Sequence, residues 1–397
     1  MIIQILHTLL KPNLPTMHLR RFKALMAAVE SGLRGASVTI TALGRAVSGE
    51  TQIKHKIKRV DRLIGNPHLN EERYAIYRVM TQWLLHALPM PLILFDWSPL
   101  TDDQSWQLLR ASLPVGGRSL TLYEEVHPRS KLGNRKVQQQ FLERLHRMLP
   151  ASVTPIAVAD SGFRTPFFRA VECLGWHWLG RIRNRDLVAF ADCPDEWIPA
   201  KSLYAKASHK PQLMGTAHWV RSHSLTGQLV SFFRPPKGRK HLTSHKRPSQ
   251  SHFSRKHAER EKEPWLLVVS PSLKAYSPAR IVDYYRCRMQ IEQGFRDTKA
   301  THYGLDLANE SRIQPERRAN LLLIAALIIF TLWIVGSNIK GSKVERHIKV
   351  NSGSKSPYSV IFLARIACRY VTFELPDQYW LLAQALLVSY FVNLEEG

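Results

Sequence analysis

Two apolar runs, far apart in the chain, each end on an aspartate. Leu92-Ile93-Leu94-Phe95 leads into Asp96, and Pro155-Ile156-Ala157-Val158-Ala159 leads into Asp160, followed by Ser161-Gly162. Short apolar runs bounded by turn residues have the pattern of buried strands. Ligands in open α/β sheets bind beyond the strand ends, which is where both carboxylates fall. Taken singly, each aspartate reads better as a turn or helix-cap residue.

The surrounding sequence alternates as an α/β core does. Strands are expected at 91–97, 104–112, 118–125, 155–160 and 176–182, with a helix at about 134–148. Between residues 186 and 264 the pattern changes. Strand-like pieces (Trp219–Arg221, Leu229–Phe233) precede a tract in which Lys237, Arg239, Lys240, Lys246, Arg247, Arg255 and Lys256 lie among Pro, Ser and His. This is a β-rich insertion with a basic loop. The loop either holds DNA phosphates without sequence preference or is itself a disordered, solubilising loop. Pro264–Ser270 reads as a strand returning to the core. Helices are expected at about 314–336, 357–371 and 377–393. Within the first, Leu321 to Gly336 is almost wholly apolar. It falls short of the roughly 20 residues a membrane span needs, so a buried core helix is expected.

The N-terminal 87 residues read as helical. Thr39–Ala46 is a short helix with Thr as its cap, and a second helix runs from about Thr51 to Ile64. On the second, Ile53, Ile57, Val60 and Ile64 share one face, and Lys54, Lys58 and Arg62 recur on another. Two short helices about a turn resemble a helix-turn-helix, whose second helix enters the major groove. The alternative is a basic solvated helix packed on a core. Net charge favours the first: Lys and Arg exceed Asp and Glu by 25, and the isoelectric point is near 10.2. Such a surplus calls for a polyanion, nucleic acid first and an anionic membrane surface second. Cys173, Cys193, Cys287 and Cys368 show no Cys-x-x-Cys spacing. That speaks against a zinc ribbon or disulfide framework and fits a reducing cytosol. The first residues lack a basic region and long apolar core, so no signal peptide is expected.

One further segment carries chemistry. At about 100° per residue, Tyr285, Arg288, Glu292 and Lys299 fall within an arc of roughly 60° on a single helix. A carboxylate can hold a divalent cation, and Arg and Lys grip phosphate. By itself this is an ordinary solvated face with i,i+4 pairs. Joined with Asp96 and Asp160, it gives three carboxylates in the order Asp, Asp, Glu. Such a set can hold two metal ions about 3.5–4 Å apart for in-line displacement at phosphorus.

These residues resemble the DDE transposases of bacterial insertion sequences, and within them the cut-and-paste Tn10/Tn5 type, with the Tn10 branch the nearer. The likeness is carried by Ile57–Asn66, Asp96-Trp97-Ser98, Gly117–Glu124, Asp160–Phe163, Arg288–Glu292 and the Tyr-Arg-Glu-Lys spacing. It is weakest in the basic tract at 235–262 and in the C-terminal tail. The resemblance implies a ribonuclease-H-like core at 88–310, interrupted by the insertion and flanked by helical regions at 1–87 and 311–397. It implies a metal site of Asp96, Asp160 and Glu292 holding two Mg²⁺, with Mn²⁺ able to substitute. Tyr285, Arg288 and Lys299 would contact DNA phosphates. Lys54, Lys58 and Arg62 would help recognise DNA.

The expected activity is cleavage at the terminal inverted repeats, through hairpin ends, and joining to target DNA. Hairpin formation bends DNA sharply and favours an extruded base held by an aromatic ring. Trp265 is the candidate, or else it packs in the core. Met289 stands where the Tn5 type carries an aromatic residue, which speaks against a stacking role there. The expected partner is double-stranded DNA, both ends and target, bound by a homodimer. No membrane or small-molecule substrate is expected. The expected location is the bacterial cytoplasm, at the nucleoid. The alternatives are a ribonuclease-H-like nuclease that cuts without joining and a catalytically inactive DNA-binding repressor.

Overall fold

The computed structural model describes residues 2–184, 186–234, 247–248, 250–251, 259, 262–300, 304–307, 313–350 and 358–396. Most of the basic tract at 235–262 lies outside them. Contacts group the chain into two compact units, Met1–Thr154 with Cys287–Glu396, and Pro155–Arg286. The expected boundaries near 87 and 310 both fall within the first unit.

The first unit begins with helices Gln4–Leu10, Leu19–Leu33, Ile40–Ala46, Ile53–Ile64 and Pro67–Leu85. Their starts follow from capping chemistry. Thr39 Oγ1 accepts the Ala42 N–H at 3.2 Å, and Asn66 Oδ1 accepts that of His68 at 3.0 Å, with Pro67 opening the helix. Helix Ile53–Ile64 buries Val60, Leu63 and Ile64. Ile53, expected to share that apolar face, is 57% exposed. The pair Ile40–Ala46 and Ile53–Ile64 touches at Gly44. A Cβ there would lie 2.5 Å from the Ile57 Cα, so only glycine permits this approach.

Strands β1 (Leu92–Pro99), β2 (Trp106–Pro114) and β3 (Ser119–Pro128) form an antiparallel meander. Asp96 pairs with Arg110, and Arg110 with Glu124, so the three stand in one row across the sheet. Helix Arg135–His146 follows, close to the expected 134–148.

The second unit opens with β4 (Ile156–Ala159), helix Thr165–Cys173 and β5 (His177–Ile182), with β4 and β5 parallel. Next come β6 (Leu187–Phe190), β7 (Ile198–Pro199), β8 (Gln212–Trp219), β9 (Leu225–Phe232) and β10 (Trp265–Val269). All pair antiparallel in the order β5-β10-β9-β8-β6-β7. The strand expected at Trp219–Arg221 does not form. Trp219 ends β8, Val220 turns with φ +64°, and a 3₁₀ turn Arg221–His223 leads into β9. Helix Pro278–Cys287 closes this part of the chain.

The chain then returns to the first unit with helices Met289–Lys299, Pro315–Ile339, Lys343–Ile348, Val360–Tyr370 and Tyr379–Glu396. Helix Pro315–Ile339 is long and apolar enough to cross a membrane, yet its most apolar 18-residue window is wholly buried. It packs against helices Leu19–Leu33, Pro67–Leu85, Val360–Tyr370 and Tyr379–Glu396 and against β3. Its lack of a polar face is thus explained: protein surrounds it on all sides. Each fully buried Leu or Ile contributes roughly 1.5–3 kcal/mol, so this helix is a main source of the unit's stability.

Candidate active site

Asp96 lies within β1, where the burial of Leu92–Phe95 gives way to partial exposure. Its Oδ1 accepts the Trp97 N–H at 2.8 Å, and its Oδ2 accepts from Arg288. Glu292 occupies the first turn of helix Met289–Lys299. The Arg288 guanidinium joins the two. It lies 3.3 Å from Asp96 Oδ2 and 2.9 Å from Glu292 Oε1. Side-chain exposure is 12% for Arg288, 17% for Asp96 and 38% for Glu292, so the cluster sits at the protein surface with Glu292 outermost.

Lys299, two turns after Glu292, donates to Ser98 Oγ at 2.5 Å and to the Pro99 carbonyl at 2.8 Å. Burial pushes its ammonium down to about 8, with repulsion from Arg110 adding and attraction to Asp96 opposing. The start of the helix is pinned as well. Gln290 Oε1 accepts the N–H groups of Val115 and Gly117, at 3.1 and 3.0 Å, and its amide donates to the Tyr390 hydroxyl at 2.8 Å. Gly294 allows close contact with β3, since a Cβ there would meet Ser119 Oγ at 2.5 Å.

The helix expected through Tyr285, Arg288, Glu292 and Lys299 is divided at one residue, Arg288, whose own backbone stays α-helical (φ -52°, ψ -34°). One helix ends at Cys287, the next begins at Met289, and Arg288 is the joint between them. Only Arg288, Glu292 and Lys299 belong to the first unit; Tyr285 belongs to the second. The Tyr285 ring is 3% exposed and packs edge-on against Trp265, centroids 5.0 Å apart. Trp265 is itself 8% exposed and also meets Phe232. Of the two readings left open for Trp265, the ring's burial and its contacts with Tyr285 and Phe232 fit core packing.

Asp160 follows β4 in the second unit. Its Oδ1 accepts the Gly162 N–H at 2.7 Å, and its carbonyl accepts that of Phe163 at 3.1 Å. This closed turn explains Ser161-Gly162 after the aspartate, because a Cβ on Gly162 would lie 2.9 Å from Asp160 Oδ1. Among the described residues, no three His, Cys, Asp or Glu side chains are already gathered into a metal cluster. The donor chemistry nonetheless suits a hard divalent ion. All three candidates are carboxylates, and two of them already share one cation, the Arg288 guanidinium.

The first unit also has a basic groove. His18, Arg20 and Arg21 line it from one side, and His55, Lys58, Arg59 and Arg62 from helix Ile53–Ile64. Arg21 pairs with Glu72. Lys54 is exposed on the same helix but does not line the groove.

The transposase DDE domain family matches residues 89–330, more than half of the chain. The chain belongs to the DDE transposase family. No curated protein matches it. The matched segment of this transposase runs from the start of β1 into helix Pro315–Ile339, and it contains Asp96, Asp160 and Glu292. DDE transposases act with divalent metals and bind DNA, and the mixed α/β architecture here is consistent with their ribonuclease-H-like fold.

The sequence reading missed the residues that hold the acidic helix in place, namely Ser98, Arg110, Gln290 and Thr298. Arg110 carried a signal, as the one charged residue in an otherwise uncharged strand. The others are ordinary polar residues whose partners lie more than 170 positions away.

Proposed function

We propose that this transposase cuts DNA at the terminal inverted repeats of its insertion sequence and joins the freed ends to target DNA. The observation that carries this reading is the convergence of Asp96 and Glu292 on the Arg288 guanidinium. Two carboxylates separated by almost 200 residues face the same cation at the protein surface, inside the segment that the transposase family matches.

On this reading Asp96, Asp160 and Glu292 hold two Mg²⁺ ions, or Mn²⁺ in their place. Bound metal would sharpen the attacking hydroxyl as a nucleophile and stabilise the departing 3′ oxygen. The protein's own groups do the rest. Arg288 exchanges its carboxylate partners for the two non-bridging oxygens of the phosphate, a bidentate contact that suits guanidinium. Lys299, fixed at Ser98 and Pro99, supplies a second positive charge beside the scissile phosphate. Water attacks first and frees a 3′-OH. That hydroxyl attacks the opposite strand to give a hairpin, water opens the hairpin, and the 3′-OH attacks target DNA. No covalent protein–DNA bond is involved.

Two ends must be processed together and each chain carries one Asp-Asp-Glu set, so the DNA complex contains at least two chains. The basic groove beside helix Ile53–Ile64 holds backbone phosphates, and Lys54, Lys58 and Arg62 help select the end. Incubating the purified protein with a fragment of its own element's end, target DNA and Mg²⁺ tests the reading. Strand-transfer product supports it, cleavage without joining points to a nuclease, and binding alone points to a repressor.

A further inference from the structure

Arg110 is 2% exposed and sits in the middle of β2. Its cross-strand partners are Asp96 on β1 and Glu124 on β3. Directly paired residues project to the same side of a sheet, and helix Met289–Lys299 packs on all three strands. The guanidinium divides its contacts between sheet and helix. Toward the sheet, Nε donates to Glu124 Oε2 at 2.7 Å, and the other oxygen of that carboxylate accepts the buried Tyr77 hydroxyl at 2.9 Å. Toward the helix, one terminal nitrogen donates to Thr298 Oγ1 at 3.2 Å, and the guanidinium carbon lies 4.8 Å from the centre of the Phe295 ring. Thr298 is 1% exposed, and its hydroxyl donates to the Gly294 carbonyl at 3.0 Å.

Glu124 balances the buried charge, and Tyr77 satisfies its second oxygen. Apolar side chains of similar volume would stabilise such a place as well or better. What they would lack is direction. A planar fork meets two partners at fixed angles, whereas a lysine ammonium does not. The two partners here are the sheet that carries Asp96 and the helix that carries Glu292. We propose, on the transposase reading above, that Arg110 is a positioning residue. It fixes the height and rotation of the Glu292 helix over β1 and so sets the spacing of the two carboxylates that take the divalent ion.

The test uses full-length protein with Thr298→Val, Thr298→Ser and Arg110→Lys. Thr298→Val leaves the Arg110–Glu124 pair intact and removes only the accepting hydroxyl; Thr298→Ser keeps it. Hydrogen exchange of the metal-free protein should quicken within 289–299 in Thr298→Val and Arg110→Lys, and match the parent in Thr298→Ser. The Mg²⁺ concentration for half-maximal end cleavage should rise on the order of tenfold in Thr298→Val and Arg110→Lys, with end-binding unchanged. Parent-like exchange in both variants overturns the proposal. So does faster exchange with an unchanged Mg²⁺ midpoint, since the anchor would then be structural alone. A parent that does not cleave at all refutes the transposase reading instead. Mn²⁺ affinity measured by electron paramagnetic resonance then replaces the midpoint and decides the role of Arg110 on its own.

Discussion

Arg288 donates to Asp96 across 3.3 Å and so links β1 to the start of a helix 192 residues later. The same guanidinium also holds Glu292, and it occupies the charge-balancing role that a divalent ion would take. Removing it should have opposite effects on metal binding and on chemistry. In Arg288→Ala, Mn²⁺ binding to the DNA-free protein should tighten several-fold, as roughly expected when a competing cation is lost. End cleavage should fall on the order of a hundredfold, since one phosphate contact is gone. Unchanged Mn²⁺ affinity, measured by electron paramagnetic resonance, would contradict this role.

Lys299 gives a pH signature. Burial lowers its ammonium from 10.5 to about 8 in the folded chain. Between those values the unfolded chain holds the extra proton, so for this group folding becomes more favourable as pH rises from about 8 toward 10.5. The phosphate grip proposed for it changes the other way, because the neutral amine has no charge to offer. Cleavage should therefore decline above about pH 8 while thermal stability gains. Lys299→Met should cleave poorly at every pH and lack both trends. An alkaline decline of the same shape in Lys299→Met would assign it to another group.

Gly44 is the contact point of the N-terminal helix pair. Gly44→Ala places a methyl against the Ile57 backbone. It should lower stability by about 1–3 kcal/mol, the usual effect of overpacking, and weaken end-binding along with it. Calorimetry and a gel-shift titration check the two effects together. Full stability and full binding in this variant would mean that the helices separate freely.

The basic groove should report itself through salt. Lys58→Ala, Arg59→Ala and Arg62→Ala should each weaken DNA binding and reduce the salt slope of the logarithm of affinity by about 1. Arg59→Ala should do so equally on end DNA and scrambled DNA, whereas Lys58→Ala and Arg62→Ala should lose more on end DNA. A variant with the parent's slope has no phosphate partner.

Much of this fold was legible because the elements are locally specified. Leu92–Phe95 and Ile156–Ala159 are apolar runs of strand length, and both are strands. Thr39 and Asn134 cap the helices that follow them. The uncharged run within Pro315–Ile339 reads as a core helix rather than a membrane span, and its most apolar window is wholly buried. Tyr285 shows the limit. A helical wheel groups it with Arg288 and Glu292 but cannot show that its ring is 3% exposed against Trp265. Trp265 shows a second limit: strand position was readable, whereas the ring's burial against Tyr285 and Phe232 depends on tertiary packing. Arg110 and Thr298 were invisible as a pair, because 188 residues separate two groups that meet only in the folded core.

The central claim is that Asp96, Asp160 and Glu292 act as one metal-dependent set. The most direct measurement is cleavage of the element's own end in Mg²⁺ by the parent and by Asp96→Ala, Asp160→Ala and Glu292→Ala, with end-binding measured alongside. Each variant should lose cleavage by several orders of magnitude, on the order of 10³ or more, and bind the end nearly as the parent does, because affinity comes from basic residues elsewhere. Any one of the three cutting at a rate near that of the parent would contradict the assignment.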